Sequence, residues 1–499
     1  MKKENLNRSI INAAKWSSFT EVVAKIISPI TNMILARIVL PEDFGVVATI
    51  TMITSFADMF TDAGFQKYLV QYEFKDDSEK IKSVNVAFWT NFSISLFLWI
   101  IIIIFRDSIA MSVGNPDLGN VIAVACIQLL LTSFSSIQMA LYRRNFDFKT
   151  LFLVRIIGVC IPFIVTIPLA ILGLSYWALI IGNVLIQLSN AAVLTIKSKW
   201  KPQFFYEIKI LKKMISFSLW SLLEAISIWF SVWADTFIIG SFFNQYYLGL
   251  YKTSTSMVNT LMALITASIL PVLFSALSRL QGDIIEFNKM YFKIQKIVAI
   301  FVFPLSIGLY LYSDLATKVA LGSNWREASN IIGIWALTNG LKIVLADLCG
   351  EVYRAKGKPK ISLLAQLLHL IVLVPTCVIS SKYGFWILVY ARSWIRMELI
   401  LVQFSIMKIY IKFPIEKVFR NVMPSAVSAC VMGVGGWLLQ KISNSIIWNL
   451  VSIMICSIVY FRVLYIFPSM RNEIKQVFMA IKTKLVKDKC KNSLQVRKK

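Results

Sequence analysis

The sequence predicts an all-α integral membrane protein of about 14 transmembrane helices, and three observations carry that prediction. Hydrophobic residues make up 57% of the 499-residue chain and charged residues only 16%, with a mean hydropathy of +0.69. The apolar residues fall in runs of roughly 20, the length an α-helix needs to cross the hydrocarbon core. Lysine and arginine gather between alternate runs, the pattern that orients a membrane protein. A soluble chain of this length would hold about three domains, and the composition excludes that class.

The runs span 15–38, 44–65, 84–105, 120–141, 151–172, 175–196, 214–240, 247–272, 293–312, 328–349, 361–380, 384–406, 421–440 and 445–467. The first follows the polar stretch MKKENLNRS, but it is too long for a signal peptide, contains Glu21 and Lys25 and lacks a small-residue cleavage site. It is read as the first helix. The second begins at a tight hairpin within ILARIVLPEDFGVVA, Ile34–Ala48, where Pro41 suits a first helical turn and Glu42 and Asp43 favour its positive end. Gly45 lets the chain pack closely there. Pro29, Pro162, Pro168, Pro304 and Pro375 fall inside spans, where proline is tolerated and often kinks the helix.

Charge then orients the spans. With the amino terminus inside, the basic segments are the amino end, Lys67–Lys82, Arg143–Arg155, Lys197–Lys213, Arg279–Lys296, Arg354–Lys360, Lys408–Arg420 and Arg471–Lys499. These hold 40 of the 52 basic residues, against Arg106, Lys318, Arg326, Lys382 and Lys441 in the intervening loops. Both termini are therefore predicted to be cytoplasmic. The formal charge of +26 is explained by topology and anionic lipid headgroups. Nucleic-acid binding, which needs a basic soluble face with interleaved aromatics, loses its support. Six of the seven cysteines sit inside apolar runs without metal-ligand or disulfide spacing, so no metal and no cofactor is predicted.

A faint internal repeat divides the chain. Ile34–Ala48 aligns without gaps on IIGSFFNQYYLGLYK, Ile238–Lys252, placing Ala36 on Gly240 and Gly45 on Gly249. Each hairpin follows a helix with an acid midway, Glu21 in one and Glu224 in the other. The predicted organisation is a six-helix bundle over 1–196, an amphipathic cytoplasmic linker over 197–213, a second six-helix bundle over 214–406, two additional helices over 421–467 and a basic cytoplasmic tail over 468–499. Parallel repeats of this kind commonly place a substrate path at their interface.

Several motifs carry a resemblance: AKWSS near the start, ILARIVLPEDFG, FTDAGF at Phe60–Phe65, RRNFDFKTLFLVRIIG at Arg143–Gly158, GLSYWALIIG at Gly173–Gly182, LGSNWREA at Leu321–Ala328 and AKGKPKISLL at Ala355–Leu364. In their order and number the chain resembles the Wzx-like flippases of polysaccharide export. These lie within the superfamily that also holds multidrug and toxic-compound extruders. The resemblance implies a V-shaped pair of bundles around a cavity in the bacterial cytoplasmic membrane. It also implies transport of polyprenyl-diphosphate-linked oligosaccharides between leaflets, for O-antigen, lipopolysaccharide, exopolysaccharide or related assembly. Membrane lipids are the immediate surroundings, and a polysaccharide polymerase and chain-length machinery are candidate partners.

A diphosphate in a low-dielectric path calls for fixed cations facing a wet cavity. Lys25, Lys252, Lys342 and Arg392 within spans, and Arg37 at the first hairpin, are the candidates. Competing readings remain open: Glu21, one turn from Lys25, neutralises it; Arg37 snorkels or pairs with Glu42 and Asp43; Lys252 and Arg396 anchor at an interface. Coupling to an ion gradient calls for intramembrane acids. Glu224 and Asp235 are eleven residues apart and share a helix face, and Asp58 lies in the second span. The lone His369 is read as a packing residue. A drug extruder of the same superfamily and a polysaccharide polymerase are the alternatives. The polymerase requires large outward loops, whereas those at 106–119 and 313–327 are short.

Overall fold

The computed structural model describes residues 27–62, 65–443 and 445–471, together with Trp16, Thr20, Val23, Ala24 and Glu473. Lys25, Glu21 and the tail from residue 474 lie outside the described residues. Among those described, every regular element is helical.

The chain begins with α1 (Ile27–Ile38) and, after the hairpin, α2 (Pro41–Asp62), which has Glu42 and Asp43 in its first turn as the hairpin sequence required. A short α3 (Phe65–Gln71) leads to α4 (Asp77–Ile104), whose amino terminus is capped by Asp76 accepting from the Glu79 amide at 2.6 Å. Short α5 (Arg106–Ser112) and α6 (Gly119–Ala125) precede α7 (Gln128–Arg144) and α8 (Phe148–Ile161). Asp147 caps α8 through the Thr150 amide at 3.1 Å. At Pro162, which has no amide hydrogen to donate, the helix widens into a π-helical turn, Pro162–Thr166, before α9 (Ile167–Ile171). Then come α10 (Tyr176–Lys197), α11 (Ile208–Phe242), α12 (Gln245–Arg279), α13 (Ile284–Leu311), α14 (Ser313–Ala320), α15 (Ala328–Lys342) and α16 (Leu348–Ala355). A π-helical turn, Ile343–Asp347, joins the last two. The chain closes with α17 (Pro359–Ser381), α18 (Phe385–Trp394), α19 (Arg396–Ile406), α20 (Ile415–Gln440) and α21 (Ile446–Ile466).

The protein is a multi-pass membrane protein. Among the described residues ten helical spans are long and apolar enough to cross a bilayer, or eleven if the two segments of α12, Gln245–Ala267 and Ile269–Arg279, form one. That measure does not confirm the expected count of about 14. Three of the predicted spans fall outside that measure. Only Ile27–Ile38 of the first span is described. α2 dilutes its apolar residues with four threonines, a serine and four acids. The run at 384–406 is divided at Ile395 and carries Arg392, Arg396 and Glu398.

The helical spacing read over Lys197–Met214 is realised only from Ile208 onward, where α11 starts. Residues 198–207 run without helix. Pro202 interrupts the pattern, and side chains of α4 hold the segment: the Trp89 indole donates to the Gln203 carbonyl at 2.8 Å and the Gln203 amide to Asn85 Oδ1 at 3.1 Å.

The chain forms two compact units. The first comprises Met1–Thr260, Thr317–Ile331 and Gln366–Arg392. One of its cores gathers Val46, Ile50, Ile122, Leu129 and Ile180 from α2, α6, α7 and α10. Another joins Phe65, Tyr68, Phe88, Ile137 and Met214. Within this unit the two aligned hairpins meet reciprocally. A Cβ on Gly45 would collide with the Gln245 carbonyl, and a Cβ on Gly249 with the Pro41 carbonyl, so each glycine admits the backbone at the start of the other hairpin's helix. The alignment that pairs Gly45 with Gly249 also pairs Pro41 with Gln245. The contact is thus two-fold in sequence as well as in space.

The second unit comprises Leu261–Ala316, Ile332–Ala365 and Ser393–Lys499. Here α20 and α21 are tied to α13 by buried polar groups as well as apolar packing. Tyr460 donates to the Ile300 carbonyl at 2.9 Å. Asn421 donates to the Phe292 carbonyl at 2.9 Å and to Gln295 Oε1 at 3.0 Å.

Candidate functional site

Asp235 lies in the carboxyl-terminal half of α11 and is 4% exposed. Its Oδ1 accepts from the Thr236 amide at 2.7 Å and the Thr236 hydroxyl at 3.2 Å. Its Oδ2 accepts from the Tyr251 hydroxyl of α12 at 2.7 Å and from Arg392 Nε of α18 at 2.8 Å. Arg392 is buried too, so the ion pair lies within packed helices. Such a pair persists because its remaining hydrogen-bonding groups are satisfied, and removing one partner strands the other charge at about 3–5 kcal/mol.

One turn of packing away, Lys252 Nζ donates to the Thr236 hydroxyl at 3.2 Å and stands 3.6 Å from the Trp233 ring centroid. Lys252 is only half-buried. The cluster therefore combines two side chains of basic type with one carboxylate, and the carboxylate is occupied by Arg392. An ammonium over an aromatic face keeps hydrogen donors available for an anion.

Asp58, on α2, occupies a different part of the first unit. It accepts from the Thr132 hydroxyl of α7 at 3.0 Å and lines a cavity of about 240 Å³. Thr51, Thr54, Gln128, Asn183 and Gln187 supply the other polar walls. Beside it the Trp229 indole of α11 donates to Ser55 Oγ at 3.0 Å.

The remaining candidates are dispersed. Arg37 is exposed at the end of α1 and donates to the Val319 carbonyl in the last turn of α14, a cation on a helix carboxyl terminus. Asp43 accepts from Ser175. Lys342 pairs with Asp347 across the π-helical turn, its Nζ 2.9 Å from Oδ1 and 3.0 Å from Oδ2. Glu224 belongs to α11, but its side chain is outside the described residues, as is Lys25 altogether. Arg396 is buried rather than interfacial, and its guanidinium lies 3.4 Å from the Trp335 ring centroid, donating to the Trp335 carbonyl at 3.2 Å.

The structure thus brings Asp235, Arg392 and Lys252 together from three helices, and leaves Arg37, Lys342 and Asp58 elsewhere. Thr236, Tyr251 and Trp233 complete the cluster without any mark in the sequence beyond adjacency to Asp235 and Lys252. Among the described residues no three His, Cys, Asp or Glu side chains gather as metal ligands.

Comparison with known proteins agrees with this architecture. The chain is 21% identical over 334 residues to the succinoglycan biosynthesis transport protein ExoT of Rhizobium meliloti (strain 1021), covering 67% of each chain. It is 20% identical over 384 residues to the lipopolysaccharide biosynthesis protein WzxC of Escherichia coli (strain K12), covering 76% of each. Its fold is similar to that of the lipid II flippase MurJ in an inward closed conformation, with a TM-score of 0.74, 17% identity and coverage of 92% of this chain and 99% of that one. Residues 34–330, more than half of the sequence, match the family profile described as polysaccharide biosynthesis protein, and the chain belongs to that family.

Proposed function

We propose that the protein is a flippase that carries polyprenyl-diphosphate-linked oligosaccharide repeat units from the inner to the outer leaflet of the bacterial cytoplasmic membrane. The reading places both termini in the cytoplasm and the product in surface polysaccharide assembly, with no bond made or broken in the cargo. The observation that carries it is the Asp235–Arg392–Lys252 cluster, in which a buried ion pair stands beside a half-buried lysine held by the Thr236 hydroxyl and the Trp233 ring. A fixed cation of this kind, in a membrane-embedded helical scaffold, suits the transient capture of a diphosphate. The names of the relatives support the same substrate class, since they belong to polysaccharide biosynthesis and to lipid II flipping.

In this scheme Lys252 contacts the anionic group, and Arg392 positions Asp235 and the start of α12. Asp58 serves as the coupling carboxylate, because its cavity has polar walls that a cation or proton could use. Asp235, by contrast, has both oxygens engaged. The transport cycle is alternating access, and Lys25, Arg37, Lys342 and Glu224 are further residues to be tested in it. A polymerase and chain-length machinery would act on the delivered units.

The decisive experiment is a deletion strain. It is expected to accumulate lipid-linked repeat units on the inner leaflet and to recover surface polymer when complemented by the wild-type gene, but not by Lys252→Gln. Accumulation of unpolymerised units on the outer leaflet would instead identify a polymerase. Changed drug susceptibility with normal polymer would identify an extruder.

A further inference from the structure

Residues 198–207 join α10, whose apolar span Tyr176–Lys197 ends at Lys197, to α11, which starts at Ile208. The segment therefore sits where apolar helix surface gives way to water. Its course is fixed by the first unit. The Trp89 indole and the Asn85 side chain satisfy both backbone groups of Gln203, and the Tyr206 hydroxyl lies 3.2 Å from Thr90 Oγ1. Trp200 and Phe205 pack against the core around Tyr68 and Phe88.

Phe204 is left outside that packing and is 96% exposed, more than any other large apolar side chain among the described residues. A slack loop would turn such a ring inward, but here the backbone beside it is held on both its groups. The apolar surface continues to either side, through Ile196 in the last turn of α10 and Ile208 in the first turn of α11, both exposed.

The charge around the ring is one-sided. Lys199, Lys201, Lys209 and Lys212 stand between Ser198 and Lys212 against Glu207 alone. Lys201 donates to the Thr195 carbonyl near the end of α10. Lys199, Lys209 and Lys212 are exposed, and no carboxylate pairs with them among the described residues.

An aromatic ring held outward among unpaired ammonium groups matches an anionic bilayer surface, where the ring enters the headgroup boundary and the lysines meet phosphate. Continuity with the exposed apolar ends of α10 and α11 favours that surface over a soluble acidic partner. We propose that residues 199–212 form a fixed foot on the bilayer, with Phe204 and Ile208 in the interface and Lys199, Lys209 and Lys212 on anionic lipid headgroups. The foot fastens the adjoining ends of α10 and α11 to one leaflet, the cytoplasmic one in the proposed orientation. This goes beyond the flippase reading and does not depend on the cargo.

The test uses the purified full-length chain, freed of exposed native thiols and carrying a bimane fluorophore on Gln203→Cys, an exposed side chain whose backbone bonds the substitution spares. It is reconstituted in nanodiscs of phosphatidylcholine, with or without phosphatidylglycerol. In the anionic discs shallow doxyl-labelled lipid is expected to quench the fluorophore strongly and iodide weakly. Replacing Lys199, Lys209 and Lys212 together by Gln should lower the doxyl-to-iodide quenching ratio about tenfold or more. Phe204→Ser should abolish doxyl quenching with the lysines intact and the melting temperature unchanged. Free iodide access in anionic discs without doxyl quenching overturns the inference. Equal doxyl quenching in neutral and anionic discs overturns the headgroup assignment. Iodide access in discs that is lost in native membrane vesicles overturns the foot in favour of a protein partner.

Discussion

Asp235 shows how one residue takes its role from its neighbours. Its eleven-residue spacing from Glu224 suggested a pair of coupling acids, but four donors from three helices surround the carboxylate. Replacing it by Ala leaves Arg392 buried without a counter-charge and is expected to lower stability by about 3–5 kcal/mol, read as a fall in melting temperature of the purified protein. Replacing both, Asp235→Ala with Arg392→Leu, should restore part of that loss; a strictly additive double variant would show that the pair is not coupled. Lys252 behaves differently because it is half-buried and rests on Trp233. Lys252→Gln should cost only about 0.5–2 kcal/mol of stability while sharply reducing complementation of the deletion strain. A large loss of melting temperature with normal polymer would assign Lys252 to structure alone. These charges were legible in the sequence as costly intramembrane residues. Their pairing was not, because Asp235 and Arg392 are 157 residues apart.

At the scale of elements, the two hairpins meet through glycines that the internal repeat had already aligned. Gly45→Ala and Gly249→Ala each push a methyl group into a backbone carbonyl, which no rotamer can relieve. Each is expected to destabilise by about 1–3 kcal/mol and to make the region around Pro41 and Gln245 exchange amide hydrogens faster. Unchanged exchange in both variants would refute the close contact. The linker gives the opposite lesson. Its helical spacing at Lys197–Met214 was real, but only the part after Ile208 uses it. Trp89 and Asn85 satisfy the backbone of Gln203, and the chain before α11 stays non-helical. A periodic pattern can report a propensity that side chains elsewhere override. The π-helical turn at Pro162 was foreshadowed by the missing amide hydrogen of proline; those at Ile343–Asp347 and Met407–Ile411 had no such mark.

At the scale of the whole molecule, the exposed surface is rich in large apolar side chains, among them Ile164, Leu172, Ile196, Ile371 and Ile447, as a bilayer requires. The proposed orientation predicts that Phe204→Cys, at a fully exposed position of the linker, reacts with an impermeant maleimide only from the cytoplasmic side. Lys382→Cys should react only from outside, both in a background freed of exposed native thiols. Reversed labelling would overturn the topology drawn from the basic loops.

The sequence alone determined the solvent of this protein and its helical character. Runs of about 20 apolar residues need no partner to be favourable in lipid, and the distribution of lysine and arginine predicts their orientation without reference to packing. It also showed the repeat, because glycines that admit another backbone cannot be replaced by residues with a Cβ. Only the tertiary structure decided which charges act together. Whether Arg392 meets Asp235 depends on helix rotation and on contacts far apart in the chain, and residue types and local spacing carry no record of either.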